Sequence, residues 1–150
     1  MSALLLQEFP SPNKRVDPGA PRPEYPQPQF EREDWLNLNG NWEFEFDDGN
    51  VGLREHWETG RRPFSHNIVV PFCFESPASG IGDPGPHSHA WYRRQFHLPE
   101  HWDQRVLVNF GAVDYRATVW VNGRFCGEHE GGHTPSGSAS QRSSIRGRIP

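Results

Sequence analysis

The chain has 150 residues, of which 33% are hydrophobic, and a formal net charge of −4 at pH 7. This length suits one domain with a single core and excludes two ordinary domains. The charge excludes a concentrated basic face, so we expect neither nucleic acid nor a membrane as a partner.

The N-terminal residues Met1–Leu6 form a short apolar run without a preceding basic region. This is not the pattern of a signal peptide, and no run approaches the roughly 20 apolar residues of a membrane span. We therefore expect a cytoplasmic, reducing setting. The sequence leaves the pairing of Cys73 and Cys126 open, and we interpret both as buried free thiols.

Seven prolines follow between residues 10 and 28. Proline removes a backbone donor and holds φ near −65°, which disfavours both helix and strand. We therefore assign residues 1–34 to an extended, Pro-rich leader. An arm that crosses the protein surface and a free tail both remain open.

A strand pattern begins near Trp35. Trp42, Phe44 and Phe46 alternate with acidic residues at positions 43, 45 and 47. This alternation predicts an antiparallel strand whose acidic face is solvated. Further strands are predicted over residues 67–71, 90–98, 105–110 and 115–121. Short strands without a helical period indicate an all-β sandwich.

A β-hairpin is the clearest local prediction. Asn122-Gly123 lies between the apolar runs Val119–Val121 and Arg124–Cys126. An Asn-Gly pair in this position favours the positive φ angles of a type I′ turn.

Several longer segments share their order with one known family. They are Leu38–Phe44, Val70–Ser76, Trp91–Arg94, Phe110–Asp114, Val119–Gly123 and Glu130–Pro135. In this order they resemble the N-terminal sugar-binding domain of glycoside hydrolase family 2, which includes β-galactosidases, β-glucuronidases and β-mannosidases. The resemblance implies an antiparallel, galactose-binding-domain-like jelly roll over residues 35–135.

The pattern of the family stops after Pro135. Residues 136–150 are rich in Ser, Arg and Gly and have little to bury, so we predict a disordered tail. A shifted reading frame or truncated gene model explains the change better than a specialised basic tail. We therefore expect a sandwich without its last strands, whose unpaired edges favour aggregation.

The resemblance places catalysis outside this chain. Retaining glycosidases use two carboxyl groups, which in this family are glutamates of a downstream barrel. It thus implies no catalytic residue, no cofactor and no activity of the chain alone. Glu75, in an apolar setting, is a candidate general acid. A hydrogen bond that fixes its loop is the preferred interpretation.

Histidines and a glycine-rich loop supply the remaining candidates. The His87-Ser88-His89 and His129/His133 groups lack zinc-site spacing, so we interpret them as solvated and predict no metal site. In several family members the loop at 130–135 approaches the active-site mouth. The resemblance therefore makes His133 and Asp83 candidates for contact with a substrate hydroxyl. A turn that needs positive φ is the alternative role of Gly131-Gly132.

Three functions remain open at this stage. The leading one is the N-terminal, non-catalytic domain of a retaining β-glycosidase, whose partners are a β-glycoside and the catalytic barrel. The second is a stand-alone carbohydrate-binding module with Trp57, Trp91, Trp102 or Trp120 as a platform, although strand position predicts that Trp91 and Trp120 are internal. The third is an inactive truncated product. The oligomeric state stays open.

Overall fold

The computed structural model describes residues 2–8, 21–22, 33–99, 102, 106–132 and 143–145. Across these ranges the regular elements are strands and short 3-10 turns, without an α-helix. No helix in this part of the chain is long and apolar enough to cross a membrane. The strands are β1 (Ser2–Glu8), β2 (Gly40–Phe46), β3 (His66–Val70), β4 (Ala90–Phe96), β5 (Val106–Val108), β6 (Arg116–Val121), β7 (Arg124–Glu130) and β8 (Ser143–Ile145).

Six strands form one mixed sheet in the order β3-β2-β4-β1-β6-β7. β1 runs parallel to both of its neighbours, with Leu4 beside Tyr92 of β4 and Val119 of β6. The other pairs in this sheet are antiparallel. β1 is therefore the exception to the antiparallel arrangement that the sequence predicts.

The central position of β1 follows from its apolar run. Ala3, Leu4, Leu5 and Leu6 are each at most 6% exposed, so both sides of the strand are covered. A continuous apolar run buried on both faces is typical of a parallel strand. The sequence does not distinguish these residues from the Pro-rich leader, because a run this short has no measurable period and its partners lie far along the chain.

The sheet has two apolar faces, each named here after a buried residue. The Phe44 face comprises Leu4, Leu6, Trp42, Phe44, Ile68, Ala90, Phe96, Ala117, Val119 and Val121, together with Val108 of β5. The Trp91 face comprises Ala3, Leu5, Trp57, Trp91 and Trp120, with Val51 and Phe64 packed against it. Because Val108 packs on the Phe44 face, the small second sheet covers that side, and the fold is an all-β sandwich.

The predicted hairpin is confirmed. β6 and β7 are antiparallel, and Asn122 and Gly123 have φ angles of 50° and 73°. Two successive positive φ angles define the type I′ turn, which matches the right-handed twist of the flanking strands.

The second sheet joins β5 to β8, with Val106 paired to Ile145. β8 lies in the segment for which the sequence predicts no regular structure. The rest of that segment, residues 136–142 and 146–150, lies outside the described residues.

Candidate functional site

The acidic face of β2 is covered. Glu43 forms an ion pair with Arg93, Glu45 accepts a hydrogen bond from the Ser65 backbone N–H at 2.7 Å, and Asp47 is only 3% exposed. The alternation in the sequence is correct, but the segment that follows β2 folds back over this side. The prediction of a solvated acidic face is therefore wrong.

Asp47 is a structural anchor. Its carboxylate accepts hydrogen bonds from the backbone N–H groups of Val51 and Gly52 at 2.7 and 2.9 Å. It also accepts one from the indole Nε1 of Trp91 at 3.0 Å. Three donors satisfy a buried carboxylate and orient the chain around it.

Arg93 anchors the same face from β4. Its Nη1 donates to the carbonyl oxygens of Gly60 and Arg62 at 3.1 and 2.7 Å. Its guanidinium lies 4.4 Å from the ring centre of Phe64, a cation–π contact. The Glu43 carboxylate, the two carbonyl oxygens and the Phe64 ring together compensate the buried charge of Arg93.

Asp83, a predicted substrate-binding residue, belongs to a compact group. We call Phe46, Phe74, Asp48, Asp83 and His87 the His87 cluster. The His87 ring stacks on Phe46 with the ring centres 3.6 Å apart. Its Nδ1 lies 3.0 and 3.1 Å from the two carboxylate oxygens of Asp48, and its Nε2 lies 3.4 Å from Oδ2 of Asp83.

The prediction that His87 is solvated is wrong, since only 15% of its side chain is exposed. Burial disfavours the charged imidazolium, but hydrogen bonds and attraction to Asp48 and Asp83 outweigh it and raise the pKa of His87. The pKa of Asp83 is lowered, chiefly because the Gly85 backbone N–H donates to Oδ1 at 2.8 Å; desolvation opposes this effect, and the hydrogen bond and attraction to His87 add to it. Asp83 therefore stays ionised while 46% of its side chain faces solvent.

The second predicted substrate-binding residue, His133, lies outside the described residues. The glycine loop before it is described as far as Gly132. Gly131 has a φ of 133°, and its N–H donates to the Tyr115 carbonyl at 2.7 Å. A Cβ on Gly132 would lie 2.5 Å from Oδ1 of Asp114. The positive φ predicted for Gly131-Gly132 is therefore found at Gly131 but not at Gly132.

Glu75 is exposed, so the apolar setting that would suit a general acid is absent. Two serines near Glu75 make side-chain hydrogen bonds within this loop. Ser79 Oγ donates to the Ser76 carbonyl at 2.7 Å and accepts from the Ile81 N–H at 3.1 Å. The Ser76 hydroxyl in turn accepts from the Ala78 N–H at 3.3 Å.

The cysteines are free, as predicted, but not buried. Cys73 is exposed and Cys126 is half-buried. Partial burial raises the pKa of the Cys126 thiol. Among the described residues, no three His, Cys, Asp or Glu side chains are placed to hold a metal ion.

The four tryptophans considered as sugar platforms are not open to solvent. Trp91 and Trp120 are 3% and 6% exposed, which confirms that they are internal, and Trp57 is 3% exposed. Trp102 is half-buried and donates its indole N–H to Asp34 at 3.1 Å. A stacking platform for a sugar would have to come from other aromatic side chains.

A shallow depression of about 590 Å³ lies beside Trp57. Its lining residues are Glu55, His56, Thr59, Arg61 and Arg62. The Arg62 guanidinium sits 4.1 Å above the Trp57 ring and 3.9 Å from both Glu45 and Glu55. The charge of Arg62 is therefore already paired with groups of the protein itself.

Comparison with known proteins places these features in a family. Residues 36–148 match the family described as "Glycosyl hydrolases family 2, sugar binding domain". The match runs thirteen residues beyond Pro135, so the likeness continues into the segment that the sequence analysis left outside the domain.

Similar proteins include two mammalian β-glucuronidases. The chain is 35% identical to that of Canis lupus familiaris over 120 residues, covering 72% of this chain and 18% of the dog protein. It is 36% identical to the Homo sapiens protein over 123 residues, covering 74% and 18%. The chain thus spans less than a fifth of the length of these relatives.

The fold is also similar to a solved structure. The crystal structure of Ruminococcus gnavus β-glucuronidase matches with a TM-score of 0.58 and 26% identity, over 75% of this chain and 19% of that one. Family match, relatives and fold agree, and the chain belongs to glycosyl hydrolase family 2, where it represents a sugar-binding domain related to that of β-glucuronidases.

Proposed function

We propose that this chain is the N-terminal, non-catalytic domain of a retaining β-glycosidase that hydrolyses terminal β-D-hexosides, with β-glucuronides as the preferred substrates. The observation that carries the proposal is the match of residues 36–148 to the sugar-binding domain, together with 33–36% identity to mammalian β-glucuronidases. β-Galactosides are the next substrate class to test.

The chemistry of retention supports a non-catalytic role. Two carboxyl groups about 5 Å apart must flank the scissile bond: one attacks the anomeric carbon while the other protonates the leaving oxygen and then activates water. In this chain Asp47 is buried under three donors, Glu43 is paired with Arg93, and Asp48 and Asp83 share His87. We therefore assign the catalytic pair to a barrel beyond this domain.

The contribution of this domain would then be to pack on the barrel and shape its entrance. Asp83 supports this role because its carboxylate is held in place by Gly85 and His87 while nearly half of its side chain remains exposed. A fixed, ionised carboxylate is a good acceptor for a sugar hydroxyl. We propose that Asp83, and His133 after the glycine loop, face the substrate.

A chimera tests the proposal. This chain would replace the matching N-terminal segment of dog β-glucuronidase, and hydrolysis of 4-nitrophenyl β-D-glucuronide, β-D-galactoside and β-D-mannoside would be measured. We expect turnover by the chimera, greatest with the glucuronide, and none by the 150-residue chain alone. Turnover by the isolated chain, or a chimera that melts cooperatively but is inactive, would contradict the proposal.

The stand-alone binding module makes a different prediction. It requires the isolated chain to bind free sugar, so its melting temperature would rise with glucuronic acid or galactose. Because three of the four candidate tryptophans are buried, the exposed rings of Phe72, Tyr115 and Phe125 are the candidates for such binding among the described residues. A Phe125→Ala variant that lost the shift would favour the module.

A further inference from the structure

Both ring nitrogens of His87 face carboxylates that come from different segments. Asp48 lies in the turn after β2, whereas Asp83 lies in the loop between β3 and β4. We infer that His87 is a pH-sensitive clamp, which only in its imidazolium form holds Asp48 of the turn after β2 and Asp83 of its own 71–89 loop at the same time. The inference is independent of the proposed function, since it concerns contacts within this chain.

The ring is held in one orientation. One side stacks on Phe46 at 3.6 Å with 19° between the planes, and Phe74 packs edge-on with its centre 5.8 Å away. A Cβ on Gly85 would lie 3.3 Å from Nε2 of His87 and 2.9 Å from Oδ1 of Asp83, so the backbone passes close to the ion pair. The imidazole has little room to turn away from either carboxylate.

The number of protons on the ring then decides the interaction. A neutral imidazole carries a single N–H, so in either tautomer one nitrogen directs a lone pair at a carboxylate. The imidazolium alone donates on both sides. At 3.4 Å the Nε2 contact to Asp83 is longer than a good hydrogen bond, so that arm depends mainly on charge.

The groups around the ring set the direction of the pH effect. Two carboxylates, those of Asp48 and Asp83, face the ring. The aromatic rings packed against it, Phe46 of β2 and Phe74 of the 71–89 loop, are uncharged. The centre of the His66 ring lies 6.4 Å from that of Phe46. The pKa of His87 is raised from 6.5, so both arms are closed below pH 6.5, and one of them is lost as the pH rises through the folded value. The lowered pKa of Asp83 keeps its arm charged down to below pH 3.8.

Two backbone amides report on the clamp. The Asp83 N–H donates to the Phe74 carbonyl at 3.1 Å, and the Gly85 N–H donates to the Asp83 carboxylate at 2.8 Å. Hydrogen-exchange protection factors of these amides should be measured by NMR from pH 5 to pH 9, with the histidine ring signals titrated in parallel. Protection factors correct for the intrinsic pH dependence of exchange.

We expect the protection factors of both amides to fall about two- to fivefold as His87 loses its proton. This fold-change corresponds to the free energy of a partly exposed ion pair. His87→Gln should remove this pH dependence, and Asp83→Asn should lower the pKa of His87. His56→Asn is the matched control and should change neither readout. His56 is exposed and pairs with Glu58 in another loop, and its positive φ is one that asparagine tolerates.

Two results would overturn the inference. One is a His87 pKa at or below its ordinary value in the unsubstituted chain, a measurement that needs no variant to fold. The other is a pH-dependent loss of protection that persists unchanged in His87→Gln.

Discussion

The two faces of the six-stranded sheet are both buried, but by different kinds of side chain. The Phe44 face is mainly aliphatic, with Phe44 and Ile68 fully buried. The Trp91 face is built from three indoles and includes the buried charges of Asp47 and Arg93. Buried indoles need acceptors for their N–H groups, and acidic side chains supply them to Trp57 and Trp91.

The acceptors on the Trp91 face are specific. Trp57 donates to Glu55 at 3.0 Å and Trp91 donates to Asp47 at 3.0 Å. Trp42 on the opposite face instead donates to the Leu38 carbonyl at 2.7 Å. The comparison shows that an acidic residue opposite an aromatic one in a strand pattern can mark a second, aromatic core as well as a wet surface.

The largest expected effect tests whether β1 supports both faces. Leu6 lies on the Phe44 face and Leu5 on the Trp91 face, and they are 1% and 2% exposed. Leu6→Ala and Leu5→Ala should each lower the free energy of unfolding by about 2–5 kcal/mol, because each leaves a cavity. Urea denaturation measures this. Leu53→Ala, at a side chain 48% exposed, is the control, and a loss at only one of the two core positions would refute the two-faced role of β1.

Next in size is the anchor of the Trp91 face. Asp47→Ala leaves the Trp91 indole and the Val51 and Gly52 amides without their acceptor, and should cost about 3 kcal/mol. Asp47→Asn keeps one acceptor oxygen and should cost less. Denaturation and near-ultraviolet circular dichroism of Trp91 would follow both. Equal stability of all three proteins would show that the face does not depend on this carboxylate.

A smaller effect is expected where the turn passes under Trp91. A Cβ on Gly52 would lie 2.4 Å from Nε1 of Trp91, whereas one on Gly49 would be 3.4 Å from Cγ1 of Val51. Gly52→Ala should therefore cost about 1–3 kcal/mol through overpacking. Gly49→Ala, the matched control, should stay within about 0.5 kcal/mol of the unsubstituted chain. Similar melting temperatures for the two variants would argue against the close approach.

The smallest effect is expected at the exposed edge between β6 and β7. Arg116 contacts Glu128 at 3.1 Å and Glu130 at 3.6 Å, and the hydrogen bond to Glu128 is the main cause of its raised pKa. All three side chains are well exposed, so solvent and salt screen the pairs. Arg116→Ala should leave the melting temperature unchanged within error. A clear decrease would mean that this edge is part of the stable core.

Local signals in the sequence predicted much of the fold. Asn122-Gly123 specified its turn because both residues accept positive φ, and the alternation of Trp42 and Phe44 identified β2. Trp91 and Trp120 were predicted to be internal from strand position alone. The ordered segments also indicated the family, which the match over residues 36–148 confirms.

Long-range contacts account for what the sequence did not predict. β1 joins partners 88 and 115 positions away (Ser2 with Ala90 and with Ala117), and no local sequence pattern indicates such a pairing. The same holds for His87, which meets Asp48 across 39 positions and was interpreted as solvated because its group lacks the spacing of a zinc site. Periodicity shows which residues share a face, but the residues that pack on that face come from elsewhere in the chain.

The sequence by itself determined the strand class, the hairpin and the family, since these depend on neighbouring residues and on the order of short segments. Only the tertiary structure decided that Ser2–Glu8 is the centre of the sheet, that Asp47 is buried, and that His87 bridges two carboxylates. The physical reason is that burial and charge pairing belong to pairs of distant residues, which the fold alone brings together.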